Sequence, residues 1–469
     1  MTPKLKFSRR DFIRNSTYVT VGFLGLRYFL HSSAKGQSYF NEVLGYGPLL
    51  DDPQQIIDLP RGFSYKVLSQ TGDFMDDGFR IPGAPDGMAA FSEPSGQTII
   101  VCNHELSQES TNVGPYGPEN ELFHQIDRSK VYDPGIEGMP ALGGTSTILY
   151  DCKKGQISSQ FLSLAGTVRN CAGGPTPWGS WITCEETTLT AGDSLTKDHG
   201  FNFEVPATSN PYLANPVPLV QMGRFKHEAV AVDPNSGIIF QTEDVNDGLI
   251  YRFIPNVPED LARGGHLQAL GIKNYSSIDT RNWPTVESPS VPIQKPMEVS
   301  WFDLDDVLSP NDDLRYQGYD KGAARFARTE GMWYGNGAIY FASTNGGKNF
   351  AGQIWKYTPS PYEGTKKELD QPGQLELYLE PNNNQLLEHC DNLTVAPWGD
   401  LIVCEDGLAD QYLRGITPEG KIYTLAHNSY AGNSEFCGAC FAPNHPTLFV
   451  NIQSPGITLA ITGPWESLS

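Results

Sequence analysis

Short apolar runs separated by tight polar turns recur along the chain in one arrangement. An acidic residue or cysteine precedes an apolar run, a turn follows, and a second apolar run ends at an acidic or amide residue. Six copies occur: DGMAAFSEPSGQTIIVCNHE from Asp86, CAGGPTPWGSWITCEE from Cys171, EAVAVDPNSGIIFQTED from Glu228, EGMWYGNGAIYFASTN from Glu330, DNLTVAPWGDLIVCED from Asp391 and EFCGACFAPNHPTLFVN from Glu435. The turns carry Gly96, Gly179, Gly237, Gly337 and Gly399, and the sixth uses Asn444-His445-Pro446. Each copy predicts a β-hairpin.

Six such hairpins predict an all-β fold, a six-bladed β-propeller in which each hairpin supplies the inner two strands of a blade. The ends of an antiparallel hairpin lie together. Asp86, Cys171, Glu228, Glu330, Asp391 and Glu435 should therefore ring one mouth of the central channel. Glu105, Glu186, Asp244, Asn345, Asp406 and Asn451 should form a second tier at the same mouth. Outer strands are predicted at 248–255, 352–359 and 420–428. The stretch 63–72 should close the last blade from the N-terminal side. Long intervals at about 106–145 and 256–325 read as insertions that cap or flank the mouth.

Composition agrees with many short strands: 48 glycines, 35 prolines and only 19% charged residues. The net charge of −21 disfavours nucleic acid and anionic lipid as partners, and an anionic substrate would need cations at its site. Arg9 and Arg10 precede Phe12-Ile13 and a short apolar run, the pattern of a twin-arginine export signal over residues 1–35. That run is too short to span a membrane. The expected mature unit is 36–469: a single propeller domain, monomeric, periplasmic or secreted, exported by the twin-arginine machinery and without a membrane span. Export permits disulfides among the eight cysteines.

Carboxylates converging on one mouth cannot all remain charged without cations. Oxygen-rich clusters suit Ca²⁺, and a thiolate among them suits a transition metal. Cys171 is the one sulfur in the first ring, which favours a ligand role; a Cys171–Cys184 disulfide is the alternative. Cys102, Cys184 and Cys404 sit in second strands, where a small buried residue is expected. Arg328, two residues ahead of Glu330, is either a structural ion pair or a fork for phosphate. His104 and His227 read as hydrogen-bonding neighbours of the ring rather than ligands. The chain has no Walker loop, HExxH or GxSxG.

The stretches NCAGGPTPWGSWITCEE, GRFKHEAVAVDP, ARTEGM and EFCGACFAPNHPTLFVNIQSPG resemble PhoX-type alkaline phosphatases. The resemblance implies a propeller that hydrolyses small phosphate monoesters with an iron–calcium cluster (Fe³⁺ and Ca²⁺) including a cysteine thiolate. By motif, Cys171, Glu186, Glu228 and Glu330 would hold metal. Arg328 would hold phosphate, with Arg414 in LRGITPEG as a second contact. Asp391, Glu435 and Glu105 join the metal set from the ring geometry. The chain departs from the family in shorter loops and in Thr329, where proline is expected. Two rival readings are a calcium-dependent lactonase-like or phosphotriesterase-like propeller and a non-catalytic binding propeller.

Overall fold

The computed structural model describes residues 39–192, 194–432 and 434–465. The twin-arginine segment lies outside them. All six predicted hairpins form antiparallel pairs. They are Pro85–Ser92 with Thr98–His104, Asn170–Pro175 with Ser180–Glu185 and His227–Val232 with Ile239–Glu243. The others are Thr329–Gly335 with Ala338–Ser343, Cys390–Val395 with Leu401–Glu405 and Phe436–Phe441 with Thr447–Ile452. The first strand of each hairpin packs on that of the next, and Phe436–Phe441 packs back on Pro85–Ser92. The result is a mostly β, propeller-like ring.

Third strands follow at Ile250–Pro255, Gln353–Thr358 and Tyr412–Ile416, so the predicted stretch 420–428 forms the strand after the third, Ile422–Asn428. Ser64–Gln70 pairs with Ile457–Thr462, which stitches the N-terminal side onto the last sheet. The segment 256–325 is more than an insertion. Gly265–Ile272 and Met297–Asp303 extend the Glu228 sheet, and Met297 pairs with Leu375, which merges two blades into a nine-stranded sheet. The α-helix Leu314–Lys321 follows. Residues 106–142 instead carry short 3-10 turns around Tyr116 and Phe123. Among the described residues no helix is long and apolar enough to cross a membrane.

Packing between sheets explains why the strands read as nearly continuous apolar runs. Every residue of Thr98–His104 is buried, because each sheet has a neighbour on both faces. Ala229, Phe240, Phe341 and Trp355 belong to one such inter-sheet core. The hairpin turns need a left-handed residue, as at Gly179 with φ 85°.

A β-bulge occurs at the same place in all six hairpins, between residues 85 and 88, 170 and 173, 227 and 230, 329 and 332, 390 and 393, and 437 and 440. Two inner-strand residues there oppose one on the partner strand, which re-aims the first of them. Those first residues are Asp86, Cys171, Glu228, Glu330, Asp391 and Gly438. Glu435 is therefore not the sixth ring position; it enters from just before its strand. Gly438 is required where it stands: its φ is 66°, and a Cβ would lie 2.2 Å from the Asp86 carbonyl oxygen.

The second tier needs the same correction. Ser343 pairs with Thr329, so Thr344 rather than Asn345 follows the fourth hairpin. Asn451 pairs with Cys437 and lies inside its strand, where Nδ2 donates to the Asp86 carbonyl at 2.7 Å.

The second bulge residues are Gly87, Ala172, Ala229, Gly331, Asn392 and Ala439. Their small side chains let the strands converge; a Cβ on Gly87 would lie 2.6 Å from the Ala172 Cα. With Met88, Met332 and Trp333 they line a cavity of about 20 Å³.

Candidate metal centre

The bulges bring ligand-type groups into contact. One ligand atom from each of Cys171, Glu186 and Glu228 lies within 4.8 Å of the others, and the same holds for Glu228, Glu330 and Asp391. Glu228 thus belongs to both triplets. Asp86 is buried beside them, and its Oδ1 has no hydrogen-bond partner among the described residues. Gln453 Nε2 donates to Asp86 at 3.2 Å and to Glu105 at 3.0 Å, linking Glu105 to the ring. Glu435 is half-buried and faces the field of Asp391, Asp406 and Asp86.

Burial and mutual repulsion push these acids toward their neutral forms. Burial, then Glu186, Asp391 and Asp86, raises the Glu228 pKa well above the carboxylate range. Burial followed by Asp244 and Glu228 does the same for Glu330. Burial and Glu105 raise Asp86; burial and Asp391 raise Glu435. Glu186 is pushed up to about 7, by burial and then Asp244, and Asp391 to about 8, by burial and then Asp406. Burial and Glu228 raise the Cys171 thiol. A bound cation reverses each of these shifts. The donor set therefore fits metal: a thiol with carboxylates suits a transition metal, and an oxygen-only set suits a hard cation such as calcium.

Two arginines stand among the acids. Arg328 Nε and Nη2 clamp Asp244 at 2.9 and 3.0 Å, and Nη2 also reaches Glu330 at 2.8 Å. Arg169 Nη2 bridges Glu105, at 2.5 Å, and Glu186. Arg169 escapes a reading of the strand pattern. Its signal is register: it lies two residues before Cys171, as Arg328 does before Glu330, and both have positive φ, 51° and 39°.

The residue just before a second-tier acid is buried and points away from the ring. Glu185 accepts from His199 Nδ1 at 2.6 Å and from the Val168 N–H at 2.8 Å. Glu243 accepts from Tyr251 at 2.7 Å and faces Arg315. Glu405 accepts from Arg414 Nε and from the Glu388 N–H, both at 2.8 Å. Arg414 is thus committed to Glu405 and to Thr424, at 2.6 Å, with 1% of its side chain exposed. It does not join the groups at the mouth. Its place on a third strand, beside a buried carboxylate, makes it a brace for the turn that carries His389.

All eight cysteines are free. Cys184 opposes the Cys171 bulge, and Cys102, Cys184 and Cys404 are buried. His104 bonds Gly83 O and Ser146 Oγ, and burial lowers its pKa to about 4. His227 bonds Gly223 O and stacks on Phe225.

Comparison with known proteins adds a family. The profile described as "Alkaline phosphatase PhoX" matches residues 44–149 and 143–456. Pseudomonas fluorescens PhoX, solved with vanadate, a transition state analogue, superposes with a TM-score of 0.64 at 16% identity, covering 91% of this chain and 98% of that one. The periplasmic gluconolactonase PpgL of Pseudomonas aeruginosa matches with a TM-score of 0.38 at 13% identity, covering 84% and 89%. No curated protein sequence matches.

Proposed function

The chain belongs to the alkaline phosphatase PhoX family, phosphomonoesterase hydrolases, and on that premise we propose that it is an exported, six-bladed enzyme using an iron–calcium centre at the channel mouth. One observation carries the reading. Nine carboxyl groups (Asp86, Glu105, Glu186, Glu228, Asp244, Glu330, Asp391, Asp406 and Glu435) and the Cys171 thiol gather against the guanidinium groups of Arg169 and Arg328. Two guanidinium groups cannot keep these acids ionised; several bound metal ions can.

Cys171, Glu186 and Glu228 would hold iron, and Glu228, Glu330 and Asp391 would hold calcium, with Glu105 and Glu435 supporting the cluster. Bound there, the metals supply positive charge for phosphoryl oxygens and acidify water for attack. The chain's own contribution is placement. Asp244 fixes Arg328 by a two-point clamp, and the Arg328 Nη1 hydrogens have no protein partner among the described residues. They are available to the equatorial oxygens of the phosphoryl group, whose charge must be met as the ester bond breaks.

The test is hydrolysis of an aryl phosphate monoester by natively purified protein. Activity that disappears on chelation and returns with iron and calcium supports the reading. Lactone hydrolysis with calcium alone, or no hydrolysis of any monoester by protein loaded with both metals, contradicts it.

A further inference from the structure

Arg169 reproduces the placement of Arg328 two hairpins earlier. Each lies two residues before a ring residue, with left-handed backbone. Each carbonyl accepts from the residue that follows its hairpin, Glu186 N–H to Arg169 O and Thr344 N–H to Arg328 O, both at 2.9 Å. Each guanidinium ties its own hairpin to the preceding one, Arg169 through Glu105 and Arg328 through Asp244. The hydrogen-bonding economy is also the same. Arg169 uses Nε on the Glu186 carbonyl at 3.3 Å and Nη2 on Glu105 and Glu186, and its Nη1 has no partner among the described residues.

The intervening hairpin places Lys226 in this register, and the next places His389: the Asp244 N–H donates to Lys226 O and the Asp406 N–H to His389 O. Arg169, Lys226, Arg328 and His389 thus occupy equivalent rim positions beside Cys171, Glu228, Glu330 and Asp391. On a chain with net charge −21, such an arc is where an anion can approach. The Arg169 side chain is 44% exposed, against 36% for Arg328, so both reach the open side of the mouth.

We propose that Arg169 is a second substrate-contacting arginine, meeting the phosphoryl oxygens from a different direction than Arg328, two hairpins away around the mouth. This rests on the phosphatase reading above. A pair of guanidinium forks grips a phosphoryl group in two directions, which one fork cannot do.

The test uses the full metal-loaded chain, with Arg169→Gln and Arg169→Lys. Binding of inorganic phosphate is measured by calorimetry beside metal content, KM and kcat. Arg169→Gln should keep its metals, bind inorganic phosphate about tenfold or more weakly and raise KM by a similar factor. Arg169→Lys should recover part of the loss, and wild-type phosphate affinity should fall more steeply with salt than that of Arg169→Gln. Unchanged phosphate affinity in Arg169→Gln, or loss of metal from both variants, would overturn the proposal while leaving wild-type activity standing. If the loaded wild type neither bound phosphate nor hydrolysed a monoester, the phosphatase reading would fall as well.

Discussion

Cys171 and Glu228 come from different hairpins, yet the thiol and the carboxylate lie within 4.8 Å of each other with Glu186 completing the group. Glu228 also reaches the Glu330–Asp391 pair. Its substitution should therefore disturb both clusters. Glu228→Gln is expected to lower iron and calcium content together and to reduce turnover at least a hundredfold. Glu435→Gln, at the margin of the ring, should remove less of either. Elemental analysis of the two variants decides; equal losses would contradict the placement.

Arg414 and Arg328 should separate by what they damage. Arg414→Ala leaves the Glu405 carboxylate buried without its partner, a change worth about 3–5 kcal/mol of stability. Thermal melting should fall by several degrees or more, with KM unchanged in the folded fraction. Arg328→Gln should instead lose turnover with a smaller change in melting, because its side chain is 36% exposed and its proposed role is to hold substrate phosphate. Raised KM in folded Arg414→Ala would restore it as a phosphate contact.

This contrast shows where the sequence was legible. The hairpins and the closing strand follow from apolar runs and turn residues, signals local to each segment. The bulge at each ring position leaves no such mark, so EFCGAC reads as an acid at Glu435 when the equivalent place is Gly438. Gln453 lies beyond a strand end, and its link to Asp86 and Glu105 depends on two sheets meeting. Arg169 and Arg414 are both arginines near a hairpin. Only position separates them: Arg169 lies just before an inner strand at the mouth, and Arg414 lies on the third strand, Tyr412–Ile416.

His199 gives a pH signature independent of the ring. Burial works against its charge, but Glu185 and Asp133 outweigh it and raise the pKa to about 9. The folded state therefore holds the proton more tightly than the unfolded chain, where the value is about 6.5. The resulting stability is fully present below about pH 6.5 and is lost as pH rises through about 9, on the order of 3 kcal/mol. Denaturant unfolding from pH 6 to 10 should show stability falling more steeply in wild type than in His199→Gln, whose remaining fall comes from the ring acids. Parallel curves would refute it.

Export should depend on the paired guanidinium groups near the start of the chain. Changing Arg9 and Arg10 together to Lys should hold the protein in the cytoplasm, read as the ratio of periplasmic or extracellular to cytoplasmic protein. An unchanged ratio would make the pair accidental.

The account rests most heavily on the Cys171 thiolate as a metal ligand, and metal analysis of Cys171→Ser beside Cys184→Ser tests it most directly. Serine at 171 replaces a soft ligand with a poor hard one. Iron content and phosphatase turnover should fall together while calcium and the fold largely survive. Cys184→Ser, altering a core side chain, should do much less. Equal effects of the two substitutions, with a Cys171–Cys184 disulfide found by mass spectrometry in active protein, would contradict the account.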